Sequence, residues 1–257
     1  MRMFLLLLLF SASLLNGCSQ SEEEGTVIFA ASSLYETLEN MRGSIEQYTG
    51  GPVTVHYGSS TQLLHQVKQG AQFDVFLSAS PYDMEEMTDG GYTDASSVRT
   101  FIKNDLVLVT GDKETPEQPE AYLKQKGIGF LALGELNRVP LGVYTKKYLD
   151  REGIKTAAET TRVYGKDAFQ VFRYVRVKQA DAGIVYGSDA RRTSYPYTPL
   201  ESGSDIRYQL GVSRGAGVAA HDTADWLMSS EAMEMFREGG FIPAGEENVV
   251  WRNGGRR

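Results

Sequence analysis

An α/β fold of parallel strand–helix units is what this sequence predicts, and three observations predict it. Short β-branched runs alternate with segments whose apolar residues recur at helical spacing, the pattern of βαβ units. Two of those strands run through a knot of small hydroxyl residues straight into a helix: Ile28 to Leu34 (IFAASSL) and His56 to Leu64 (HYGSSTQLL). Roughly 230 residues come after the N-terminal apolar segment, enough for one large or two modest domains of this class.

The first strand is expected over Thr26 to Ala31. Leu34, Leu38, Met41 and Ile45 then mark a helix from about Ser33 to Gln47 with one face on the sheet, ended by Gly50-Gly51-Pro52. Val53 to Tyr57 is the second strand, and the helix after it carries Leu63, Leu64 and Val67 and stops at Gly70. Asp74 to Ala79 is the third strand, leading through Pro81 into a helix that ends at Gly90-Gly91. Leu106 to Thr110 starts a new strand, and the Pro- and Glu-rich stretch from Lys113 to Glu120 marks a change of unit.

A second α/β set comes next. A strand is expected near Ile128 to Leu133, then a helix beginning at Val139-Pro140-Leu141, where Pro140 suits a first turn that needs no N–H. The helix near Asp167 to Lys178 turns Ala168, Val171, Phe172 and Val175 inward, and Gly183 to Tyr186 is a strand. One last helix, about Thr223 to Glu238, carries Leu227, Met228, Ala232, Met235 and Phe236 and stops at Gly239-Gly240.

The start, MRMFLLLLLFSASLLNGC, has secretory grammar: a basic Arg2, a short apolar core and small residues before Cys18. It falls short of the roughly 20 apolar residues of a spanning helix. Residues 1–17 are therefore expected to be a signal peptide. Cys18 is the only cysteine, so no internal disulfide can form and the core must hold the fold. Ser19 to Gly25 (SQSEEEG) suits a flexible tether. The formal net charge of −7 argues against a nucleic-acid role, which needs a basic footprint.

An anion binder of this charge must rely on oriented dipoles, and the two serine turns offer them. The first N–H groups of a helix lack intrahelical acceptors and sit at the positive end of the macrodipole. Ser33 and Ser60 are expected to cap their helices and to present hydroxyl and N–H donors from the same turns.

With these turns placed, the chain resembles the periplasmic molybdate-binding proteins of ABC transporters. IFAASSL, the stretch from Gly58 to Ser80 (GSSTQLLHQVKQGAQFDVFLSAS), VPLGVYTKKYL from Val139 to Leu149, GIVYGSDA from Gly183 to Ala190, and the segment Asp225 to Phe241 match that family in its order. The resemblance implies a two-lobed periplasmic-binding-protein fold of type II, each lobe a mixed, mostly parallel sheet flanked by helices. Lobe 1 is expected over 26–104 and 206–257, and lobe 2 over 105–205. It implies that Ser33 and Ser60 bind the oxyanion from lobe 1. Leu141 and Ala168 bind it through backbone N–H groups, and Tyr186 through its phenolic O–H. Leu141 stands where the family more often has a small residue and Ala168 where it more often has valine, departures that cost little if, as the resemblance implies, the backbone makes both contacts. Leu15-Asn16-Gly17-Cys18 resembles a lipobox, with a lipidated Cys18 as the first residue of a mature tether at 18–25 and the sole link to a membrane.

The resemblance further implies a molybdate carrier, with tungstate taken as well, that needs no cofactor. Molybdenum enters only as molybdate, held through its oxygens. The carrier is expected as an exported monomer that closes two lobes on the ion and docks on a membrane permease without catalysis. Molybdate is a tetrahedral dianion with no proton to give, so a cage of donors satisfies it and disfavours a protonated oxyanion. Sulfate or phosphate is the alternative cargo. Hydrolase chemistry would need a base beside a nucleophilic serine, but no G-x-S-x-G elbow is present, and His56, His65 and His221 are scattered. The same scatter, with one tethered cysteine, gives no zinc spacing.

Overall fold

The computed structural model describes residues 25–245. The expected signal peptide, Cys18, the tether up to residue 24 and the end of lobe 1 at 246–257 lie outside the described residues. Thr26–Ala31 (β1) passes through a 3₁₀ turn at Ser32–Leu34 into Tyr35–Thr49 (α1). Val53–Gly58 (β2), Ser60–Lys68 (α2), Val75–Ser78 (β3), Pro81–Asp89 (α3) and Arg99–Asn104 (β4) come next. The middle of the chain forms Leu106–Thr110 (β5), Pro119–Lys124 (α4), Phe130–Gly134 (β6), Pro140–Arg151 (α5) and Thr161–Gly165 (β7). It continues as Ala168–Arg176 (α6), Ala182–Tyr186 (β8), Gly187–Arg192 (α7) and Thr198–Pro199 (β9). Ile206–Val212 (β10), Val218–Leu227 (α8), Ser230–Glu238 (α9) and Ile242–Pro243 (β11) complete it.

Two mixed sheets organise these elements into two lobes. The six-stranded sheet has the order β11-β4-β10-β3-β1-β2, and the five-stranded sheet β7-β6-β8-β5-β9. In the first, β1 pairs in parallel with β2 and β3, while β10 lies antiparallel between β3 and β4. In the second, β6 is parallel to β7 and β8, and β5 is antiparallel to β8 and β9. The chain passes from one sheet to the other between Asn104 and Leu106, and back between Pro199 and Ile206.

The first sheet is covered on both faces because side chains alternate along a strand. In β1, Ile28 and Ala30 join the main core with Leu34, Leu38, Met41 and Ile45 of the first helical segment. Phe29, pointing the other way, packs with Leu63, Leu64 and Val67 of α2 and with Met84 and Met87 of α3. Gly50 ends α1 in the left-handed conformation, its φ being 75°, and its N–H bonds the Glu46 carbonyl. In the second lobe β5 and β8 are buried throughout, and α5 and α6 cover the sheet with Tyr148, Leu149, Val171, Phe172 and Val175.

Several elements differ from the sequence-based expectation. The last helix is two, because Ser229 accepts a hydrogen bond from the Ala232 N–H at 3.2 Å and starts a new helix after Met228 ends the old one. The first helix begins as a 3₁₀ turn, and its α portion starts at Tyr35. Strands β4, β7 and β10 have no counterpart among the expected elements. Their sequences RTFIKN, TRVYG and IRYQLGV mix charges and exposed positions with apolar ones, so tertiary pairing decides them. The Pro- and Glu-rich segment also contains the start of α4, at Pro119.

Candidate functional site

Strand ends and helix starts meet in the crevice between the sheets, the usual ligand position in open α/β folds. Ser33 comes after β1, Ser60 after β2, Leu141 stands in the first turn of α5 after β6, Ala168 starts α6 after β7, and Tyr186 ends β8. All five line one cavity, with about 10 Å³ of room for the centre of a water-sized sphere. All five are buried, and none of the residues lining this cavity carries a charge. Arg138, Lys147 and Arg207 line instead a wider neighbouring cleft of about 680 Å³.

Each serine is held differently from the expected cap. The cap of α2 is Ser59, whose hydroxyl accepts from the Gln62 N–H while Gln62 Oε1 accepts from the Ser59 N–H, both at 3.2 Å. Ser60, one residue into the helix, is thereby free of capping, and its Oγ accepts from the Ala79 N–H at 2.9 Å. Ser33 sits inside the 3₁₀ turn and caps nothing; its Oγ lies 2.8 Å from the Tyr208 hydroxyl.

The second lobe contributes two helix N-termini. Asp167 caps α6 through the Gln170 N–H at 2.8 Å. No side chain caps α5, so its first-turn donors, Leu141 included, have no cap acceptor at the cavity wall. Gly142 lets this turn approach the end of β6: a Cβ there would lie 2.2 Å from the Glu135 carbonyl oxygen and 2.7 Å from that of Gly134.

Tyr186 is the least satisfied member. Its hydroxyl is fully buried and, although near Tyr208, meets no hydrogen-bond geometry with any partner. Burial above all, and the neighbouring Tyr208, push its phenol well above the ordinary value, so it stays a donor. A buried O–H without an acceptor, on a residue that lines this cavity, needs one, and a ligand oxygen could supply it.

The lobes also touch around this cavity. The Tyr35 ring, next to the Ser33 turn, meets Phe169, next to Ala168, edge-on at 5.7 Å, and Tyr35 packs on Tyr57 at 4.9 Å. Arg192 on α7 pairs with Glu36 on α1 and, at 3.3 Å, with Asp189. Burial pushes the Asp189 carboxyl up to about 7, against the pull of Arg192.

Sequence reasoning missed Tyr208 and Asn104. Tyr208 holds Ser33, and Asn104 Nδ2 donates to the Tyr208 hydroxyl at 3.2 Å. No local motif marks either, because β10 and β4 reach the site only through sheet pairing. His56 and His65 are exposed on β2 and α2, and His221 is exposed on α8; none lines the cavity.

Comparison with known proteins gives one family and several relatives. The model of the bacterial extracellular solute-binding proteins matches residues 26–242. YvgL of Bacillus subtilis, whose name describes a substrate-binding lipoprotein of an ABC transporter, is 31% identical over 245 residues, 89% of this chain and 93% of that one. The molybdate-binding protein ModA of Escherichia coli is 27% identical over 235 residues, 88% of this chain and 91% of its own. Among solved structures, the periplasmic molybdate-binding protein of Azotobacter vinelandii superposes with a TM-score of 0.76 at 20% identity, covering 84% of this chain and 98% of that one.

Proposed function

This chain belongs to the bacterial extracellular solute-binding proteins, which are carriers and not enzymes, and from that premise we propose that it captures molybdate, and tungstate with it, for an ABC transporter permease. The observation that carries the reading is the Tyr186 hydroxyl, buried without an acceptor in a cavity that also holds two serine hydroxyls and the starts of α5 and α6. Ser33, Ser60, Leu141, Ala168 and Tyr186 are the proposed ligand residues. Hydrogen bonds from neutral donors to a charged group contribute about 1.5–3 kcal/mol each, so five residues support tight binding without a cation. No cofactor takes part. Size separates molybdate from the smaller sulfate, and tungstate, nearly equal in size, is not rejected.

Calorimetric titration with molybdate, tungstate, sulfate and phosphate tests the reading. Tight sulfate binding with no molybdate response would sink it. Ser33→Ala and Ser60→Ala are each expected to weaken molybdate binding about tenfold or more. Ser60→Ala also lowers the melting temperature, because it strips the Ala79 N–H of its acceptor. Unchanged affinity in both variants rejects the site.

Capture is proposed to proceed by closure of the lobes. The Tyr35–Phe169 contact joins them beside the cavity, so breaking it must accompany opening. Phe169→Ala is expected to speed molybdate release by about two- to tenfold, the equivalent of one aromatic pair, with little change in the association rate. Stopped-flow dissociation measures this, and an unaltered release rate would show that the pair does not hold the closed state. Outside the described residues, Cys18 is proposed to carry a lipid anchor on the extracytoplasmic side of the membrane. The protein is proposed to act as a monomer.

A further inference from the structure

A serine hydroxyl can either give or take a hydrogen bond, and a cage that discriminates by donors alone must remove that choice. Ser60 has one lone pair engaged: its Oγ receives the Ala79 N–H, an obligate donor, and its own hydrogen remains to be given. Ser33 faces another hydroxyl, Tyr208, at 2.8 Å, and that contact alone does not say which oxygen gives.

Asn104 supplies the direction. Its Oδ1 accepts from two backbone N–H groups, Asp105 at 3.0 Å and Ser188 at 3.1 Å, which fixes the orientation of the amide. Its Nδ2 therefore gives one hydrogen to Ser188 Oγ at 2.9 Å and the other to the Tyr208 hydroxyl at 3.2 Å. With that hydrogen received, the Tyr208 hydroxyl still has its own to give, and Ser33 Oγ lies in reach at 2.8 Å. A gift in that direction leaves the Ser33 hydrogen for the cavity.

We propose that Asn104 and Tyr208 are positioning residues that lock Ser33 as a donor, and so set a preference for fully deprotonated oxyanions over protonated ones such as hydrogen phosphate. This rests on oxyanion capture at the site above. Neither residue lines the cavity; both act through Ser33. Asn104 ends β4 at the crossing between the sheets and Ser188 lies on α7, so the relay is assembled from both lobes.

The test compares molybdate and phosphate affinities of the full chain, by calorimetry at pH 8, where phosphate is mainly the hydrogen-bearing dianion. Asn104→Asp keeps the shape and still accepts the two backbone N–H groups, but has no hydrogen for Tyr208. Tyr208 then gives to the new carboxylate, Ser33 gives to Tyr208, and a Ser33 lone pair faces the ligand. The molybdate-to-phosphate affinity ratio is expected to fall at least about tenfold, the worth of one hydrogen bond to an anion. Added negative charge repels both dianions alike, so the ratio isolates hydroxyl polarity. Tyr208→Phe frees Ser33 to rotate and lowers the ratio by a smaller factor; should Asn104→Asp not fold, it carries the test.

In a Ser33→Ala background neither substitution is expected to move the ratio further, because the effect passes through Ser33. A merely structural role would lower both affinities and leave the ratio alone. Wild-type selectivity retained in both single variants overturns the inference while leaving molybdate capture standing. A wild-type chain that prefers phosphate to molybdate overturns both.

Discussion

Tyr186→Phe is expected to weaken molybdate binding by about 10- to 100-fold while leaving the ligand-free protein as stable as before or slightly more so. The two effects separate because of how the hydroxyl sits. It is buried and has no partner, so deleting it orphans nothing in the empty protein and removes a desolvated polar atom. With the ion present, the same deletion leaves one molybdate oxygen without its donor. Thermal melts with and without molybdate, read beside calorimetry, check both halves: the ligand-induced rise in melting temperature should shrink while the baseline holds. A variant that binds as tightly as the wild type would mean that the hydroxyl does not touch the ion.

Gly142→Ala is expected to fail in the opposite way, losing stability and affinity together. The added methyl would lie 2.2 Å from the Glu135 carbonyl oxygen and 2.5 Å from its carbon, and these are backbone atoms that no rotamer change can move aside. Overpacking of this kind costs about 1–3 kcal/mol, which for a chain of this size is a fall of roughly 2–12 °C in melting temperature. The start of α5 must also withdraw from β6, carrying the Leu141 N–H away from the cavity. Gly134 is the other half of the same contact, since a Cβ there would meet the Gly142 nitrogen at 2.7 Å. An alanine variant with wild-type melting and affinity would show that the turn has room to shift.

The range of each interaction decides how much of it was legible in the sequence. The buried strands β1, β3, β5 and β8 are short apolar runs, and the helices of the strand–helix units carry apolar stripes, so local pattern reveals them. Edge strand β7 and the antiparallel β10 show no such run, and their strand character comes from neighbours far along the chain. The five proposed ligand residues share one cavity because each belongs to a local strand–turn–helix motif, which a linear reading can find. Their supports cannot be found that way. Tyr208 meets Ser33 across 175 residues of sequence, and Asn104 meets Ser188 across 84. Neighbouring side chains also decide which of two serines caps a helix: Ser59 takes that role and releases Ser60 to the cavity.

The uncharged lining of the cavity has a consequence beyond affinity. Dipoles and hydroxyls hold an anion without cancelling it, whereas a site with paired arginines would hide it. On the proposed reading, a dianion taken up here would add its full charge to a chain whose formal charge is already −7. The loaded carrier would then differ from the empty one in its outward field, and would move faster toward the anode.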